Sequence, residues 1–318
     1  PTALVPPARL ALVDRRLVGF LLIAVASAGF GSGPLFAKGV YSLGTTGFLT
    51  LLAWRFLFGA AASWAWISVS ASRRAAARRM ARRMVVISLG LGVLYIGNSA
   101  SYYAALTRVS ASLAALIVFT YPAIVAVLSL RFGRRLRGRR AWTALAMTIV
   151  GSVLTIGGIP ADELPDPGWL VLVAISPIVY SCWIILQAWA TGERANRAAG
   201  QGDDADPTVA GALMNTGAAG AYWLIAIGSG SALLPSPSTP QVWVLVAGFG
   251  LLSTFVAIVG FVEGSRRTGA ANAALISTIE PLWTIVFGAL LLGEGLTPVQ
   301  VAGGAMIMAG VQIGRAHV

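Results

Sequence analysis

Long apolar runs alternate with short polar breaks along almost the whole chain. A helix rises about 1.5 Å per residue, so roughly twenty apolar residues cross a hydrocarbon core of about 30 Å. Read this way, the runs predict ten transmembrane helices, at 17–40, 46–69, 85–106, 110–131, 141–159, 168–190, 208–229, 241–262, 271–292 and 298–314. The breaks carry turn punctuation, as in "IPADELPDPG" and "LPSPSTP". The fold class expected is an all-α integral membrane protein. The first apolar run is itself a full span, so no cleavable signal peptide is expected.

Composition agrees. Of 318 residues, 57% are hydrophobic and 11% charged, where a soluble domain carries about a quarter charged residues. In a soluble protein a net charge of +12 would suggest nucleic acid; here placement argues otherwise. With the N-terminus in the cytoplasm, twenty of the 23 Lys and Arg fall on the cytoplasmic side, chiefly at 9–16, 73–83 and 131–140. Only Lys38 and Arg108 fall outside, and Arg55 lies within a span. Such asymmetry orients a membrane protein, so the arginines read as topological anchors that can touch anionic lipid, with no nucleic-acid role. The reading is a multi-pass protein of the inner (plasma) membrane with both termini cytoplasmic. "RRAAARRMARRM" (73–84), if helical, would lie along that face. Trp64, Trp66, Trp142, Trp169 and Trp243 fall near span ends, as interfacial rings do; Trp54, Trp183 and Trp283 read as deep.

The chain carries one cysteine, Cys182, inside a span, and one histidine, His317. These cannot supply a disulfide or a zinc cluster. No cofactor or metal is expected.

An internal repeat organises the ten spans. "RVSASLAALIVFTYP" (108–122) and "RTGAANAALISTIEP" (267–281) match at seven of fifteen positions without gaps. The same offset aligns Gly151 with Gly310. Five helices per copy is an odd number, so the second copy enters the membrane in the opposite direction, the inverted repeat of many secondary transporters. The expected division is a cytoplasmic segment 1–16, a first five-helix repeat 17–159, an external linker 160–167, a second repeat 168–314 and a tail 315–318.

"LAWRFLFGA" (52–60) and "ANAALISTIEPLWTIVFGALLLGEGLTPVQVAGGAMIMAGVQI" (271–313), set in this 5+5 pattern, resemble the drug/metabolite transporter superfamily, especially its EamA-type exporters. The resemblance covers nearly the whole chain. It implies a central cavity between helices 1–4 and 6–9, with 5 and 10 at the periphery. One departure stands out: where the second half reads "LLGEGLTPVQ", the first reads "RFGRRLRGRR", so any role of that loop glutamate belongs to Glu294 alone.

The candidate site is built from polar groups placed where they are costly. Glu280 lies in an apolar stretch, and a charge at a helix centre costs about 2.5–3.5 kcal/mol on insertion scales. Its repeat partner is Tyr121, and each directly precedes a proline, Pro281 or Pro122. Those prolines lack the N–H that would bond one turn back, freeing a carbonyl near 118 and 277. Freed backbone and a polar side chain thus coincide near the midplane of both halves, where a transporter places its solute. Glu280 therefore contacts substrate or a coupling proton, or else is a protonated acid tying two helices together. Tyr95, Asn98 and Tyr102 share one helical face, and Tyr180, Trp183 and Gln187 repeat the spacing. Either stripe could line a cavity or make interhelical hydrogen bonds. Trp283 joins the substrate-binding candidates. Arg55 could pair with Glu280, bind a substrate carboxylate or snorkel outward. "GFGSGP" (29–34) reads as a packing and bending element with a kink at Pro34, and as a possible hinge.

The function expected is a secondary transporter that exports a small metabolite, such as an amino acid or related amphipathic solute, by alternating access. A phosphorylated-sugar or nucleotide-sugar antiporter of the same fold is the alternative, although it would favour several buried cations. A receptor or scaffold is a third class. An enzyme is not expected: the only histidine is terminal, and HExxH is missing. Proton-linked antiport and facilitated diffusion are both compatible with the chain, and so is either a monomer or an oligomer.

Overall fold

The computed structural model describes residues 7–105, 108–109, 114, 117–132, 138–156, 166–192, 204–292 and 297–315. The loop glutamate Glu294, the histidine His317 and Arg194 and Arg197 lie outside the described residues.

Among the described residues all regular secondary structure is helical. The helices are α1 (Pro7–Leu43), α2 (Phe48–Ser68), α3 (Ala71–Arg79), α4 (Arg82–Ala105), α5 (Tyr121–Phe132), α6 (Arg139–Ile156) and α7 (Pro167–Ala190). They continue as α8 (Pro207–Gly228), α9 (Pro240–Gly250), a π-helical turn (Leu251–Val256), α10 (Ala257–Thr268), α11 (Ala270–Ser277), α12 (Glu280–Leu292) and α13 (Pro298–Arg315). Six stretches are long and apolar enough to cross a membrane: Leu17–Leu43, Phe48–Ser68, Arg82–Ala105, Pro167–Ala190, Pro207–Gly228 and Pro240–Thr268. Two shorter apolar helices are Tyr121–Phe132 and Pro298–Ile313.

Local chemistry sets several of these starts. Prolines open α7, α8 and α9, where a missing N–H removes nothing from the helix ladder. Asp166 caps α7 by accepting from Gly168 N at 2.7 Å, and Asp206 caps α8 by accepting from Thr208 N and Val209 N at 3.0 and 3.1 Å. Helix α1 begins at Pro7, ten residues before the expected span. The basic segment is helical as α3, joined to α2 by the Arg73 guanidinium lying over the Trp66 ring at 3.8 Å.

Proline explains the two interrupted spans. The expected ninth span breaks at Thr278–Ile279 into α11 and α12, and the fourth turns at Phe119–Thr120 before α5. Pro281 cannot donate to Ser277 O, nor Pro122 to Val118 O, so neither span continues as one ladder.

Helix pairing builds a central group with a satellite. Helix α1 lies on α10 and α12, α2 on α8 and α9, and α4 on both α7 and α8. Helix α5 packs on α7 and α11, while α6 and α13 pair closely with each other. A small apolar cluster of Ala141, Ala144, Leu145, Ala126, Ala271 and Leu275 attaches that satellite pair. The main core is aromatic, with Trp183, Tyr121, Tyr222, Phe56, Phe249 and Phe261 all fully buried. Polar links cross it: Ser99 Oγ and Tyr222 Oη lie 2.6 Å apart, and Asn215 donates to Ser63 Oγ at 3.1 Å.

At the end away from α3, the α1–α2 turn is tied to the α8–α9 loop. Thr45 N and Thr46 Oγ1 both donate to Ser236 O, Thr50 Oγ1 donates to Ala232 O, and Trp54 Nε1 donates to Leu233 O at 2.8 Å. Trp54 is therefore not deep, as its mid-span position suggested. Its ring lies edge-on to Trp223 and Trp243, at 5.3 and 4.7 Å between centroids, beside that loop.

Candidate functional site

The interrupted span places Glu280 in the first turn of α12. A half-helix that starts inside the molecule turns free backbone N–H groups toward its own first residues, which suits an acid there. Tyr121 opens α5 in the same way. Helix α5 meets the end of α11, just before that break, with Tyr121 Oη and Ser277 Oγ 2.7 Å apart, and Ser181 Oγ donates to Tyr121 O at 3.2 Å.

Around this point lies a cavity of about 80 Å³, lined by Glu280, Tyr121, Asn98, Tyr102, Tyr180 and Arg55 among the expected residues. That volume holds several waters, each needing roughly 10–15 Å³ on this measure, and its wall mixes aromatic rings with polar groups. Phe30, Pro34, Tyr95, Ser99, Tyr103, Val118, Phe119, Ser176 and Ser253 complete the wall. Asn98 is held from the side by Ser176 Oγ, which donates to its Oδ1 at 2.7 Å. Tyr180 meets Tyr121 edge-on at 4.8 Å and Tyr95 at 6.1 Å.

Three expected residues stand outside the wall. Trp183 is fully buried one helical turn beyond Tyr180, between Tyr95 and Phe261 at 5.0 and 5.9 Å. Gln187, a turn further, donates to Ser265 Oγ at 2.9 Å and ties α7 to α10. Trp283 stacks on Phe287 at 5.6 Å and backs onto Gly31. The shared face of Tyr180, Trp183 and Gln187 is real. Its depth differs from residue to residue, because seven positions along a helix cover about 10 Å.

Arg55 does not snorkel: it is 3% exposed. Its Nε donates to Thr254 Oγ1 at 2.8 Å and its Nη2 to Ser253 O at 3.1 Å. The guanidinium lies 4.1 Å from the Phe249 centroid and 5.5 Å from that of Tyr103. No ion pair joins it to Glu280 among the described residues. Both of its hydrogen bonds go to the π-helical turn, whose wider winding pushes Ser253 and Thr254 out of the ordinary ladder.

Helix α1 passes between the start of α12 and the π-helical turn, and the glycines of "GFGSGP" make its passage possible. A Cβ on Gly31 would sit 2.8 Å from Glu280 O, and one on Gly33 would sit 2.8 Å from Ser253 Oγ. Thr284 Oγ1 completes the contact by donating to Gly31 O at 3.0 Å. Sequence reading missed Ser253 and Ser176, since serines within apolar spans commonly bond their own helix. It also left Tyr103 aside, one position off the Tyr95–Asn98–Tyr102 face.

Long apolar helices wrapped around a cavity that holds polar groups define a multi-pass membrane protein. Two consecutive segments, 17–157 and 169–313, match the EamA-like transporter family, and the chain belongs to that family: it is a membrane transporter. It is 28% identical over 228 residues to an uncharacterized transporter of Archaeoglobus fulgidus, covering 71% of this chain and 74% of that one. It is also 28% identical over 207 residues to the uncharacterized transporter YcbK of Bacillus subtilis, covering 62% of this chain and 61% of the relative. A solved crystal structure superposes with a TM-score of 0.72 at 19% identity, over 95% of this chain and 97% of that one. At that identity the likeness speaks for the fold.

Proposed function

We propose that this protein is a secondary transporter that exports a small amphipathic metabolite, an amino acid or a related solute, by alternating access around Glu280. The observation that carries the reading is the cavity itself: an acid with no protein partner for its carboxylate among the described residues, at a broken helix, walled by aromatic and hydroxyl side chains. Discontinuous helices at a polar midpoint are where transporters hold their solute.

Two inverted repeats of five helices, 17–159 and 168–314, account for the pairing pattern. If α1 corresponds to α7, α2 to α8, α4 to the α9–α10 span, α5 to α11–α12 and α6 to α13, the contact α4–α7 has its counterpart in α10–α1. Likewise α4–α8 answers to α9–α2, and α5–α7 to α12–α1. The satellite pair repeats this at single residues. A Cβ on Gly151 would press on Gly303 O and Ile307 N, and one on Gly310 on Ala144 O and Thr148 N. These contacts exchange under the same offset that aligns the repeats. A small cavity between two such halves can open to either side as they rock.

Orientation follows from charge: the end bearing α3 faces the cytoplasm, where its arginines meet anionic headgroups. The test is solute counterflow in proteoliposomes. Glu280→Gln is expected to lower exchange about tenfold or more while the melting temperature stays near wild type. Wild-type exchange by that variant would give Glu280 a purely structural role.

A further inference from the structure

A buried guanidinium, Arg55, and a half-buried carboxyl, Glu280, line the same cavity, and neither has an ion-pair partner among the described residues. Arg55 has no carboxylate partner among the described residues; two of its nitrogens bond neutral oxygens, Nη1 makes no hydrogen bond, and the Tyr103 hydroxyl stands beside Ser253 Oγ against Gly33. Ser253 Oγ, in the same wall, is also buried without a partner. The π-helical turn is the reason. It presents the Ser253 carbonyl to Arg55 and leaves the hydroxyl beside Gly33, on the cavity side of α1. A buried cation and a bare hydroxyl both carry a desolvation penalty that an arriving anion would relieve. Across the cavity, the Glu280 carboxylate likewise has no donor among the described residues.

We propose that Arg55 and Ser253 form an anion subsite for the carboxylate of the transported solute while Glu280 receives its ammonium group, so that the cavity selects solutes carrying both charges. This rests on the transport reading above and names its substrate class. One unpaired guanidinium nitrogen plus one hydroxyl matches a singly charged carboxylate. A phosphate dianion would leave a second negative charge unmatched, facing Glu280.

The test is equilibrium binding to the purified full-length protein, by calorimetry. The ligands are the twenty proteinogenic amino acids, their amides, their N-acetyl derivatives, and glycerol 3-phosphate. The expected result is that at least one free amino acid binds about tenfold or more tightly than both its amide and its N-acetyl derivative, as charge-assisted hydrogen bonds allow. Ser253→Ala keeps both Arg55 hydrogen bonds and should weaken the amino acid several-fold while leaving the amide unchanged. A merely structural serine would weaken both alike. Arg55→Gln should erase the preference over the amide, and Glu280→Gln the preference over the N-acetyl derivative.

Equal binding of acid and amide, an unchanged ratio in Ser253→Ala, or preference for glycerol 3-phosphate would overturn the subsite and leave a transporter of another solute class. Absence of binding by every ligand would overturn it too; the transport reading would then fall only if counterflow of every solute class also failed.

Discussion

Glu280 and Gln187 show what single residues disclose. Both are polar groups in apolar stretches, and a sequence marks both as costly. Among the described residues the carboxylate of the acid has no partner, whereas the amide bonds Ser265 across a helix contact. Nothing in local spacing separates the two cases, because the partner of Gln187 lies 78 positions away. Arg55 is similar: the sequence left pairing, ligand binding and snorkelling open, and a turn nearly two hundred residues downstream decides where its nitrogens go. Gln187→Leu should lower the melting temperature modestly, since interhelical hydrogen bonds in membrane proteins average about 0.6 kcal/mol. Solute affinity should stay within about twofold of wild type, as expected of a site outside the cavity. A large loss of affinity would return Gln187 to the cavity.

At the scale of elements, proline marked where backbone is freed in two spans, while the interruption that packing causes left no mark. Pro122 and Pro281 pointed to freed carbonyls, yet both spans were expected to run through, and Pro34 and Pro177 lie inside helices that do run through. The π-helical turn "LLSTFV" contains neither proline nor glycine and reads as ordinary helix. Its cause is tertiary: α2 approaches so closely that a Cβ on Gly250 would sit 2.7 Å from Arg55 O, and Arg55 then holds the widened turn. Close approach also governs the α4–α8 contact, where a Cβ on Gly92 would run into Met214 O and one on Gly217 into Leu89 O. Backbone cannot yield as a side chain end can. Gly92→Val is therefore expected to destabilise the fold by about 1–3 kcal/mol, read as a lower melting temperature in detergent. An unchanged melting temperature would mean that the two helices are looser than described.

For the whole molecule, apolar run length gave the helical class and the arginine distribution gave a direction. The gapless match between 108–122 and 267–281 pointed to two related halves. Cavity depth escaped sequence reading, because it depends on how far each helix slides along its neighbour, and periodicity fixes only the face. Transport by this protein requires that the space beside Glu280 open in turn to both sides of the membrane. Val118 lines that space and is only partly buried, so a cysteine there, in a Cys182→Ser background, reports on access. The most direct measurement is labelling of Val118→Cys by a membrane-impermeant thiol reagent in right-side-out and in inside-out vesicles. Alternating access predicts labelling in both preparations, slowed in both by a transported solute. Labelling in only one preparation, whatever the solute gradient, would contradict it.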